Sequence, residues 1–107
     1  VGDGLGFALN GDGIVCIDLD HCINEVGVLS PAAACIMAFL PKTYVEVSPS
    51  GTGLHIWGRA SRQPAMVSKG VEFYATGRYM TVTGKPWRDA PAILADISAT
   101  VDQISRR

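Results

Sequence analysis

Asp18 and Asp20 stand two residues apart in the run Ile14-Val15-Cys16-Ile17-Asp18-Leu19-Asp20, which reads as a strand. Strand alternation puts both carboxylates on one face and Ile17 and Leu19 on the other. Two like charges ~7 Å apart along a strand repel unless a cation sits between them. A divalent ion such as Mg²⁺ or Mn²⁺ does this well, with water and substrate phosphate completing its shell. The same pair at a strand end running into solvent is simply hydrated, and an Asp-x-Asp also serves sugar-nucleotide transferases.

Two further segments carry compatible chemistry. Ser48-Pro49-Ser50-Gly51-Thr52-Gly53 is a loop of turn formers whose backbone N–H groups can turn toward an anion. His55, two residues into the next strand, can donate to a phosphate oxygen reached from that loop; the competing reading is a satisfied core histidine. Glu72 alternates with Val71 and Phe73, so it leaves the apolar face and can join Asp18 and Asp20 as a third ligand. Arg78, placed at a turn, can clamp phosphate with its forked guanidinium, and Lys69 can assist as a point charge. Taken singly, Glu72 and Arg78 read equally as exposed charges. Tyr74 and Trp57 offer rings for stacking on a base, with burial the competing fate of Trp57.

These residues need a scaffold, and the rest of the chain supplies its elements. Leu5 to Leu9 and Ile14 to Asp20 read as a hairpin around Asn10-Gly11-Asp12-Gly13. His21 to Leu29 is a loop. Ser30 caps a helix that Pro31 opens and Pro41 stops near Leu40, and its apolar residues should pack on a sheet. Thr43 to Val47 and Leu54 to Gly58 are strands, and Arg59 to Gly70 is irregular. Val71 to Tyr74 and Tyr79 to Thr83 are strands around a turn. From Pro91 onward, Ile93, Ile97, Val101 and Ile104 have near-helical spacing and predict an amphipathic C-terminal helix. Six strands and two helices joined by short turns make an α+β fold with a largely antiparallel or mixed sheet.

Composition narrows the functions. The 107 residues are 48% hydrophobic and 18% charged, which suits one globular domain over residues 1–107 and excludes disorder. The longest apolar stretch, Ala32 to Leu40, is far short of the ~20 residues that span a bilayer. A net charge of −1 excludes binding nucleic acid by bulk positive charge, so any such contact is local. Cys16, Cys22 and Cys35 are odd in number and lack a Cys-x-x-Cys, as expected of free thiols in a reducing, cytoplasmic compartment. The opening Val1-Gly2-Asp3-Gly4, with no initiator Met or signal peptide, is that expected of a piece of a longer protein. Gly77 to Lys85 has the wrong spacing for a P-loop, and Pro86 stands where its Ser or Thr would be. Zinc-finger spacing and a Gly-x-Ser-x-Gly elbow are also missing from the sequence.

In order along the chain, Ile17-Asp18-Leu19-Asp20-His21, Glu46-Val47-Ser48-Pro49-Ser50-Gly51-Thr52-Gly53-Leu54-His55-Ile56, and Val71-Glu72-Phe73-Tyr74 followed by Arg78-Tyr79-Met80-Thr81-Val82-Thr83-Gly84 resemble the archaeo-eukaryotic primase superfamily. The likeness is greatest to primase-polymerase domains of phages, plasmids and integrated elements, and it spans about residues 5–86. Its middle stretch is the most specific of the three. The resemblance implies an RRM-like mixed, largely antiparallel sheet backed by helices. It implies Asp18, Asp20 and Glu72 as ligands of two Mg²⁺ or Mn²⁺ ions. Ser48, Ser50, Gly51, Thr52, Gly53 and His55 would hold the incoming triphosphate, with Arg78 and Lys69 on phosphate or template. The implied reaction is template-directed nucleotidyl transfer from nucleoside triphosphates on single-stranded DNA, with a helicase domain in the parent chain or in trans. Domains of this family are usually longer, with an N-terminal subdomain that grips template, so this piece is expected to hold metal and nucleotide but bind DNA weakly. A catalytically inactive nucleotide- or DNA-binding domain of a replication initiator and a metal-dependent nuclease are the alternatives.

Overall fold

Alternating apolar residues on four strands meet two helices in the main core of the computed structural model, which describes residues 5–61, 63–68 and 70–106. The elements in order are β1 (Leu5–Asn10), β2 (Ile14–Leu19), α1 (Pro31–Phe39), β3 (Val45–Val47), β4 (Leu54–Arg59), β5 (Met66–Ser68), β6 (Val71–Tyr74), β7 (Thr76–Val82) and α2 (Ser98–Ser105). Five strands form one sheet in the order β3-β4-β2-β6-β5, and β1 and β7 form a separate two-stranded ribbon. Every one of these ladders is antiparallel. The fold is therefore α+β with an antiparallel sheet and two helices, as expected.

The register explains the core. Ile17 pairs with Ile56 on one side and Phe73 on the other, and Leu19 pairs likewise with Leu54 and Val71. Directly opposed residues share a face, so these side chains form one apolar surface. It packs against Ala33 and Ile36 of α1 and Val101 and Ile104 of α2. Full burial of each such aliphatic or aromatic side chain contributes roughly 1.5–3 kcal/mol. Ser30 caps α1 by accepting from the Ala33 N–H at 3.3 Å, and Pro31 occupies the first turn, where its missing N–H leaves nothing unpaired. Leu40 is extended ahead of Pro41, which ends the helix.

The opposite face carries Cys16, flanked by its partners Trp57 and Tyr74. The ribbon covers this cluster with Leu9 and Met80, and Phe7 meets Trp57 edge-on at 5.7 Å.

Four expectations are corrected. β1 and β2 are joined by the glycine turn, with Gly11 and Gly13 at φ 82° and 105°, yet they do not pair. Both edges of β2 are taken by β4 and β6, so β1 crosses to β7. β6 likewise has both edges taken, by β2 and β5, so β6 and β7 are not a hairpin and Ala75 alone carries the chain from sheet to ribbon. The stretch expected to be irregular contains β5, a three-residue edge strand too short to show alternation. The C-terminal helix begins only at Ser98. Before it, residues 91–95 form neither helix nor strand, and the Ile93 and Ala95 carbonyls accept from the N–H groups of Tyr44 and Arg59. Ile93 is consequently 54% exposed and outside the helix. No helix among the described residues is long and apolar enough to cross a membrane.

Candidate functional site

One register line crosses the sheet. Glu46 on β3 pairs with His55 on β4, His55 with Asp18 on β2, and Asp18 with Glu72 on β6. The line ends at Val67 on β5. Paired positions lie ~4.5–5.5 Å apart and point the same way, so Glu46, His55, Asp18 and Glu72 form one polar row on the face away from the helices. Asp20 lies just beyond the end of β2, its N–H donating to the Gly70 carbonyl at 2.8 Å. Glu72 thus flanks Asp18 directly, and its neighbours Val71 and Phe73 are buried in the core, as its alternation predicts.

The electrostatics of the row follow from its packing. Burial raises the Asp18 pKa; His55 opposes this, Asp20 and Glu72 add to it, and Arg78 opposes it, the net result being upward. Asp18 therefore feels the charges of Asp20 and Glu72 as well as its own burial, and His55 and Arg78 compensate only in part. Glu72 accepts a 2.7 Å hydrogen bond from the Tyr74 hydroxyl, and the Arg78 guanidinium lies 4.5 Å above the Tyr74 ring. Arg78 reaches this position from within β7, opposite Leu9, and not from a turn. Among the described residues, no three His, Cys, Asp or Glu side chains converge on a single point that would hold a metal ion. In donor chemistry the acids still fit a hard divalent cation: they are oxygen donors, and Asp18 is destabilised as an anion first by burial and then by Asp20 and Glu72. Lys69 lies outside the described residues.

His55 is buried, hydrogen-bonded at Nδ1 and facing Asp18 with Nε2. Nδ1 is 3.1 Å from the Thr81 carbonyl and 3.4 Å from Glu46 Oε2, while Nε2 is 3.8 Å from Asp18 Oδ1. Burial lowers its pKa, but the Glu46 hydrogen bond and the charges of Asp18 and Glu46 outweigh this and raise it. Glu46 itself is completely buried. Burial pushes its carboxyl up, and the hydrogen bonds from His55, the Thr83 and Gly84 N–H groups and the Tyr44 hydroxyl pull it down to about 2. Reading the sequence for chemistry overlooked Glu46. Its signal was an acid between Val45 and Val47 in a short strand, the same pattern that marks Glu72 between Val71 and Phe73.

The loop between β3 and β4 is closed by its own hydroxyls. Ser48 Oγ lies 3.0 Å from Ser50 Oγ, which lies 3.0 Å from Thr52 Oγ1. The N–H groups of Gly51, Thr52 and Gly53 donate to the Ser48 carbonyl, Ser50 Oγ and Ser48 Oγ. An anion at this loop therefore meets the outer hydroxyls or displaces these bonds. Gly51 needs its φ of 80°, and a Cβ at Gly53 would stand 2.5 Å from the Leu19 carbonyl. The Thr52 carbonyl accepts from the N–H groups of Cys22 and Ile23, at 2.8 and 2.9 Å. The loop is thereby tied to the segment that follows Asp18 and Asp20.

No family model matches the chain. It is similar to the DNA primase-polymerase of Nitratiruptor phage NrS-1, with 37% identity over 91 residues. The match covers 78% of this chain but 13% of the phage protein, so the chain spans only a small part of the length of that relative.

Proposed function

The chain belongs to the phage-type primase-polymerase family, and from that premise we propose that it carries the catalytic centre of template-directed nucleotidyl transfer in phage, plasmid or prophage DNA replication. The observation that supports this reading most is the register line, which sets Asp18 beside Glu72 and His55, with Asp20 one step along. Asp18, Asp20 and Glu72 would hold Mg²⁺ or Mn²⁺. When bound, such ions lower the pKa of an attacking hydroxyl and neutralise charge on the transferring phosphate.

The chain's own residues have separate tasks. His55 Nε2 donates to a phosphate oxygen of the nucleoside triphosphate. The hydroxyls of Ser48, Ser50 and Thr52, with the backbone at Gly51 and Gly53, line the neighbouring approach to it. Arg78, held over Tyr74, draws the polyphosphate or the single-stranded template toward the acids. A helicase, in the parent chain or in trans, would supply that template. The reading places the protein in the cytoplasm of a bacterial or phage-infected cell.

A second reading is a nucleotide-binding domain without catalysis. It is favoured by the loop N–H groups being engaged internally. Primer synthesis on single-stranded DNA with Mn²⁺ and nucleoside triphosphates separates the two. The double variant Asp18→Ala, Asp20→Ala should lose synthesis entirely while keeping its circular dichroism and a melting temperature no lower than that of the unaltered protein. Synthesis that survives in the folded double variant defeats the catalytic reading. Nucleotide binding without synthesis in the unaltered protein favours the second.

A further inference from the structure

Glu46 has no exposed surface, and every polar partner it has is a donor. Its Oε1 accepts from the Tyr44 hydroxyl and the Gly84 N–H, each at 3.0 Å. Its Oε2 accepts from the Thr83 N–H at 3.0 Å and the Trp57 Nε1–H at 3.3 Å, with His55 Nδ1 at 3.4 Å. A carboxylate accepts at both oxygens; an amide at the same place turns an NH₂ group toward donors on one side. For stability alone, a buried acid is a poor choice against a well-packed apolar side chain.

The row explains why an acid stands there. His55 Nδ1 meets two acceptors, the Thr81 carbonyl and Glu46 Oε2. The nitrogen facing two acceptors must carry the hydrogen. A ring flipped by half a turn would set a carbon there instead. Trp57, which donates to Glu46, also stands edge-on to the imidazole at 6.4 Å. We infer that Glu46 is a positioning residue: it fixes the His55 ring so that Nδ1 faces inward and Nε2 is delivered to the Asp18 side of the sheet. The importance of that delivery for nucleotide rests on the function proposed above; the orientation itself does not.

The test uses protein labelled with ¹⁵N at histidine, with His55→Asn to assign the ring signals. The unaltered protein should show an Nδ1-bound proton protected from solvent exchange. Glu46→Gln should lose that protection and raise the KM for nucleoside triphosphate about tenfold, the effect of one lost charge-assisted contact, with a smaller change in kcat. Tyr44→Phe removes a different bond to the same carboxylate; it should lower the melting temperature and leave both the ring signals and KM unmoved. If Glu46→Gln does not fold, Glu46→Asp, which retracts the oxygens by one methylene, serves in its place. Folded variants whose His55 ring signals match the unaltered protein overturn the inference. Altered ring signals with an unchanged KM uphold the positioning and instead remove His55 from nucleotide binding.

Discussion

The face of the five-stranded sheet that meets α1 and α2 and the face that meets the β1–β7 ribbon are built by alternate residues of the same strands. The helix face is apolar throughout: Val15, Ile17, Leu19, Leu54, Ile56, Val71 and Phe73 are buried in one cluster. The ribbon face divides along its strands. Cys16, Trp57 and Tyr74 anchor the ribbon, and the next line over holds Glu46, His55, Asp18 and Glu72. Each polar residue of this second line is therefore one peptide away from a core residue, and the core that stabilises the sheet also fixes the spacing of the acids. Sites carried on strands are held more closely than sites carried on loops.

The largest test of this contrast is a pair of adjacent substitutions on β6. Phe73→Ala should destabilise the protein by about 3–5 kcal/mol in urea denaturation, as expected for a buried aromatic ring. Glu72→Ala, one residue away and half-buried, should change stability by less than about 1 kcal/mol while removing activity. Equal losses from both would mean that the two faces are not distinct in role.

A smaller effect separates Glu46 from Asp18 within the polar row by pH. The Glu46 pKa is lowered in the fold from 4.5 to about 2. Its contribution is present above pH 4.5 and is lost as pH falls toward 2, on the order of 3 kcal/mol in all. Acid unfolding monitored by circular dichroism should show this limb, and Glu46→Gln should flatten it. Asp18 has the opposite sign. Its raised pKa means that its charge opposes folding at neutral pH, mainly through burial and then through Asp20 and Glu72. Asp18→Asn should therefore raise the urea midpoint at pH 7 and leave stability unchanged below the ordinary aspartate pKa of 3.8. A lower midpoint would show that the contact with His55 dominates.

Local chemistry made some of this legible in the sequence. The Ser30 cap, Pro31 and Pro41 bound α1 because helix ends depend on neighbouring residues alone. Alternation placed Asp18 and Glu72 off the core face because a strand has only two faces. Pairing was not legible, since nothing in Leu5 to Asn10 specifies a partner at Thr76 to Val82 rather than the adjacent β2. Glu46 escaped notice for a related reason: its donors include Thr83 and Gly84, distant in sequence, and an acid between two valines looks like a surface position until they are seen. Ile93 shows the converse error, a helical spacing overridden by backbone bonds to β-structure.

The pairing of the first strand with the last has a consequence for how the molecule is made. Leu5 finds its partner in Val82. At synthesis rates of roughly 5–20 residues per second, β1 waits several seconds outside the ribosome before β7 exists to receive it. During that interval the sheet can begin to form on α1 alone, without the ribbon, because α2 follows β7 in the chain. The polar row would then lie open to water until the final closure, so the ribbon is the last piece of the site to arrive and the first that a nascent-chain chaperone could delay.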